Sequence, residues 1–147
     1  MDAVEIDTVL VPVDASDQAV TAIEYAVAIA RRYDASVHCL FVLSQELVEA
    51  IEDDAVESDA VAADHETVMD AAAEIAGDVP VCHSSAHGFS PSRLTVHPGS
   101  VILDAADDVA ADFLVVPREP LNGDPGEVLG KAAEYVLMYA SQPVLSV

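Results

Sequence analysis

Short apolar runs rich in β-branched residues alternate along this chain with longer stretches whose apolar residues recur every three or four positions. That alternation leaves few folds open. Thr8–Val13 (TVLVPV) and Ser36–Leu43 (SVHCLFVL) are runs of the first kind and read as buried strands. Between them Ala19, Ala22, Ile23, Ala26, Ile29, Ala30 and Tyr33 fall at helical spacing, with Ser16 as the N-cap and Asp34 as the stop. Two apolar strands joined by a helix make a βαβ unit, which requires a parallel sheet. The pattern then repeats. Asp59–Ala76 reads as a helix facing inward through Ala62, Val68, Met69, Ala72 and Ile75, ended by Gly77. Val79–Ser85 (VPVCHSS) reads as a third strand, sent to a sheet edge by Pro80. A helical stripe of Val101, Ile102, Ala105, Ala106, Val109 and Ala110 precedes a fourth strand, Phe113–Val116. Another stripe of Val128, Leu129, Ala132, Ala133, Val136 and Leu137 precedes a last strand at Pro143–Val147. Ser44–Ser58 reads as a loop or partial helix and Ala86–Gly99 as a loop. Five parallel strands and four helices in a single domain of 147 residues predict an open, doubly wound, Rossmann-like α/β sheet. Such sheets take ligands beyond the C-terminal ends of their strands, at the topological switch point, and Asp14 and Pro117 both sit at strand C-terminal ends.

Charge narrows the partners. Asp and Glu number 27 against 5 Lys and Arg, for a formal net charge of -22. Neutralising phosphates needs clustered cations, so nucleic acid is not an expected partner, and anionic membrane surfaces are disfavoured for the same reason. The acids are spread along the chain and read as a solvated anionic coat, as on proteins adapted to concentrated salt. At about 1 M salt the Debye length falls to about 3 Å, which silences most of the repulsion. The opening MDAVEID is acidic where a secretory leader needs positive charge, and no apolar run approaches about 18 residues, so the expected location is cytoplasmic. Cys39 and Cys82 both lie in strand-like runs and are expected to be reduced core thiols.

The stretch VLVPVDASDQAVTAIEYAVAIARRYDASVHCLFVL resembles the opening of the universal stress protein family: an apolar strand ending in Pro-Val-Asp, a Ser, an Ala-rich helix and a second strand. HPGSVILDAADDVAADFLVVP and LGKAAEYVLMYASQPVLSV resemble that family's third helix with its fourth strand, and its ending. The resemblance covers nearly the whole chain and is weak between about Leu47 and Val96. It implies a five-stranded parallel sheet, adenine-nucleotide α-hydrolase-like, a homodimer formed through the last strand, and a role in stress response by binding rather than catalysis. One branch of the family binds ATP and another does not. The binding branch carries Gly, two residues, Gly, nine residues, then Gly-Ser, because glycines let backbone N–H groups approach phosphate and a helix N-terminus adds its dipole.

Counting back from Gly130 puts Pro120 and Pro117 at the two leading glycine positions, and Lys131 follows where the family has Ser or Thr. Proline has no N–H and a fixed φ, so the resemblance implies a phosphate loop with reduced donors and no required cofactor. Glu119 adds negative charge nearby. The alternative keeps a nucleotide (ATP or AMP) or another small anion, held by Asp14 and the Gly130-Lys131 helix N-terminus. In family register Pro12, Val13 and Val42 complete the nucleotide positions, with Val13 and Val42 flanking the adenine.

Other chemistry is poorly supported. PGEVLGKA fails the P-loop pattern at both ends, with Pro125 for Gly and Ala132 for Ser or Thr. Cys82, His83, His87 and His97 cluster in sequence, yet match no standard zinc spacing, and Cys82 and His83 point to opposite faces of a strand. His38 reads as a satisfied core histidine. SSAHGFSPS has no strained elbow suited to a nucleophilic serine. An enzyme of the wider adenine-nucleotide α/β class is a third reading, without a catalytic set to support it.

Overall fold

A computed structural model describes residues 4–13, 17–43, 58–87, 98–117 and 128–147. Among these, five strands and four helices alternate. They are β1 (Thr8–Val13), α1 (Asp17–Tyr33), β2 (Ser36–Leu43), α2 (Ser58–Ala76), β3 (Val81–His87), α3 (Pro98–Asp108), β4 (Phe113–Val116), α4 (Val128–Tyr139) and β5 (Val144–Ser146). All strand pairings are parallel and the order is β3-β2-β1-β4-β5. The predicted doubly wound sheet is therefore present, with β3 on an edge as Pro80 required. Pro80 cannot donate, but its carbonyl accepts the Val37 N–H at 2.9 Å just before β3 begins.

Period-two alternation divides the core into two layers. Val9, Val11, Val13, Val37, Cys39, Phe41 and Val115 face α1 and α2, where they meet Ala22, Ile23, Ala26, Val27 and Ala72. Leu10, Leu40, Val42, Leu114 and Val116 face α3 and α4, where they meet Ile102, Ala106 and Val136. Small alanines on the helices let them lie close to the valine-rich strands. None of the buried residues among those described is polar or charged, so the acids stay outside the packed interior.

Helix ends are closed by left-handed residues. Asp34 (φ 57), Gly77 (φ 60) and Ala110 (φ 53) each follow a helix. Ala35 N–H reaches back to the Ala30 carbonyl at 2.8 Å, and Ala111 N–H to that of Ala106 at 2.8 Å, the six-to-one bonds of a Schellman motif. An Arg31 guanidinium nitrogen donates to the Ala76 carbonyl at 3.1 Å, satisfying the end of α2 from α1. Asp112 ties β4 to β1: one carboxylate oxygen accepts the N–H groups of Asp7 (2.9 Å) and Thr8 (3.2 Å). Gly99 is required by close approach, because a Cβ there would lie 2.6 Å from the Tyr135 Cβ.

Several expectations are corrected. Tyr33 and Leu137 are exposed, at 41% and 52%, because the apolar pattern of each helix is wider than the stripe its neighbours cover. Ala62 is exposed for the same reason. Ala110 lies beyond α3, in the left-handed cap that ends it. β3 begins at Val81 and runs on to His87, and α3 takes in Pro98 and Gly99, so the loop expected at Ala86–Gly99 is shorter at both ends. Ser16 and the interiors of Ser44–Ser58 and Ala86–Gly99 lie outside the described residues.

Candidate functional site

Strand order makes one place on this sheet special. From β1 the chain winds outward through β2 to β3, and it then crosses back to β4 and winds the other way to β5. β1 and β4 are neighbours, registered Val9 to Phe113 and Leu10 to Leu114, so the switch point lies beyond their C-terminal ends. Pro12 and Val13 finish β1 and are buried, and Pro117, also buried, follows directly on β4. The structure thus brings Pro12, Val13 and Pro117 to the same edge. Gly130 and Lys131 are the third and fourth residues of α4, so their N–H groups are among the four at the helix start that lack intrahelical partners. α4 packs on α3 and touches both β2 and β5. Asp14, Pro120 and the Lys131 side chain lie outside the described residues.

The Val13 and Val42 side chains leave opposite faces of the sheet. Val13 is registered with Phe41, which puts Val42 one residue further on and on the opposite face. Val13 belongs to the layer under α1 and α2, and Val42 (6% exposed) to the layer under α3 and α4.

A second cluster was not foreseen. His38 on β2 is registered with Cys82 on β3, which puts their side chains on the same face. His38 Nδ1 lies 3.1 Å from Cys82 Sγ, and His38 Nε2 lies 2.8 Å from Ser84 Oγ. His38 is half-buried rather than in the core, though its ring nitrogens are satisfied as expected. Burial, and then the charge of His83, lower its pKa from the usual histidine value. Cys82 is free and exposed, not a core thiol, because it lies on an edge strand bordered in the sheet by β2 alone among the described residues. Cys39 is buried as expected, and burial followed by the nearby Cys82 pushes its pKa up to about 12. His83 does point away from Cys82: its ring meets Phe41 edge-on at 6.1 Å, and His65 of α2 stacks on Phe41 at 4.0 Å. Among the described residues no three His, Cys, Asp or Glu side chains are grouped to hold a metal. Ser84 also borders an open groove of about 280 Å³ between β3 and α3, floored by Leu40 and Ala86 and edged by Asp104 and Asp108.

The fold defines an open, doubly wound α/β protein of the kind that receives small ligands beyond its strand ends. The sequence profile of the universal stress protein family matches residues 5–147, and the chain belongs to that family. No curated protein sequence matches it. Among solved structures, universal stress protein UspA from Lactobacillus plantarum is similar at 23% identity, with a TM-score of 0.74 over 99% of both chains. A universal stress protein in complex with cAMP is similar at 24% identity, with a TM-score of 0.68 over 98% of both chains. The universal stress protein from Archaeoglobus fulgidus in complex with dAMP is similar at 20% identity, with a TM-score of 0.64 over 95% of this chain and 96% of that one. Among the described residues no helix is long and apolar enough to cross a membrane.

Proposed function

We propose that this universal stress protein acts in the stress response by binding rather than by catalysis, in the cytoplasm, and that its phosphate loop holds nucleotide poorly. The observation that carries the reading is Pro117, buried directly at the end of β4, where the family's nucleotide-binding branch has its first loop glycine. A proline there offers no N–H to a phosphate oxygen and cannot take a positive φ. Pro120 repeats the loss three residues on, and Lys131 replaces the small hydroxyl residue. A second reading is favoured by the similar proteins whose structures contain cAMP and dAMP. In it, Asp14 and the α4 N-terminus hold an adenine nucleotide or a small anion, with Lys131 as a point charge. Calorimetric titration with ATP, AMP and phosphate in molar KCl separates the two. Dissociation constants weaker than the micromolar range are expected (roughly 8 kcal/mol of binding is not reached). Micromolar or tighter binding would install the second reading.

The same proposal includes a homodimer through the C-terminal strand. β5 is a sheet edge, its residues Val144–Ser146 are only half-buried, and Leu137, Met138 and Tyr139 at the end of α4 stay exposed. An uncovered apolar edge strand invites pairing with its twin. Light scattering at high salt should give twice the chain mass of 15.4 kDa, and a monomer mass would remove this part of the proposal.

A further inference from the structure

The two cysteines differ in every respect that governs thiol chemistry. Cys39 is buried beneath α1 and α2. Cys82 is exposed on the edge strand, with the imidazole of His38 at 3.1 Å and the Val37 carbonyl at 3.8 Å from its sulfur. The contacts admit a proton arrangement that suits a base: His38 donates from Nε2 to Ser84 Oγ, and Nδ1 is left to accept the Cys82 S–H. With its hydroxyl as acceptor, Ser84 supports the tautomer that a base next to a thiol requires. We propose that Cys82 is a reactive thiol that small, neutral hydroperoxides oxidise to a sulfenic acid, with His38 as the proton acceptor.

Burial, which lowers the His38 pKa, favours a neutral resting imidazole able to accept a proton. The proton moves only as the sulfur attacks. The sulfur lone pair forms a bond to the nearer peroxide oxygen, the O–O bond breaks, and hydroxide leaves. The S–H proton passes to His38 Nδ1 and then to that hydroxide. In sum, Cys82–SH and HOOH give Cys82–SOH and water; sulfur loses two electrons and the peroxide gains them. Neutral oxidants are preferred because Asp104 and Asp108 edge the groove beside Ser84, on a chain of net charge -22. Cys39 cannot resolve the product within the chain. It is registered with His83, so its side chain leaves the opposite face of the sheet from that of Cys82. The sulfenic acid is left to an external thiol, which would form a mixed disulfide and release water.

The test is trapping with dimedone during exposure to hydrogen peroxide, read by peptide mass. In the folded protein the adduct is expected on the Cys82 peptide, forming about tenfold faster or more than on the same peptide in the urea-unfolded chain. Cys82→Ser should abolish it, and His38→Asn should slow it by a similar factor in protein with an unchanged melting transition. Equal rates in folded and unfolded wild-type chain, or an adduct on Cys39 instead, would overturn the proposal, and this comparison holds even if the His38 variant does not fold.

Discussion

Phe41→Ala is expected to remove about 3–5 kcal/mol of folding stability, at the upper end of what truncating one core side chain costs. Phe41 is 1% exposed and sits on the interior strand β2, between its neighbours β1 and β3. It belongs to the layer under α1 and α2, and it carries the stacked His65 ring of α2 and the edge-on His83 ring of β3. Truncation loses the buried ring area and leaves a cavity that close-packed neighbours cannot fill. It also strips His65 of its stacking partner. For a chain of this length the melting temperature should fall by roughly 10 °C, read by circular dichroism in molar KCl. A fall of only a degree or two would mean that α2 closes over the gap, and that the layer is far less tightly packed than its burial indicates.

Dilution of salt is expected to have an effect of similar size. With 27 acids against 5 bases, unscreened repulsion acts on the folded state more than on the expanded chain. Among the described residues, Arg31 donates to the Ala76 carbonyl, and Arg32 lies over the Tyr33 ring at 5.5 Å. Moving from molar KCl to dilute buffer lengthens the Debye length from about 3 Å to about 30 Å. A loss of a few kcal/mol, roughly 10 °C in melting temperature, is the expected result. A chain that melts higher in dilute buffer would not be salt-adapted.

Much of the architecture was legible because each element carries its own pattern. Thr8–Val13 can bury both faces only inside a parallel sheet, and Pro80 can only stand at an edge. The switch-point residues were legible too, since a strand's C-terminal end is a position along the chain. Burial on the helices was less legible. Tyr33 and Leu137 fit the apolar spacing, yet both stay exposed. Apolar spacing states which residues could be buried, and the partner surface decides which are.

The sequence by itself determined the fold class, the edge place of β3, the excess of acids and the prolines at 117 and 120. These follow from residue type and local period, which act over a few positions. Only the tertiary structure decided which side chains share a face across strands. Register pairs His38 with Cys82 and Val13 with Phe41, and so builds the thiol–imidazole pair while parting Val13 from Val42. A shift of one residue in the β2–β3 register would undo the first outcome, and one in the β1–β2 register the second, because side chains alternate with a period of two. Register is set by the packing of whole layers against their helices, and no local run of residues encodes it.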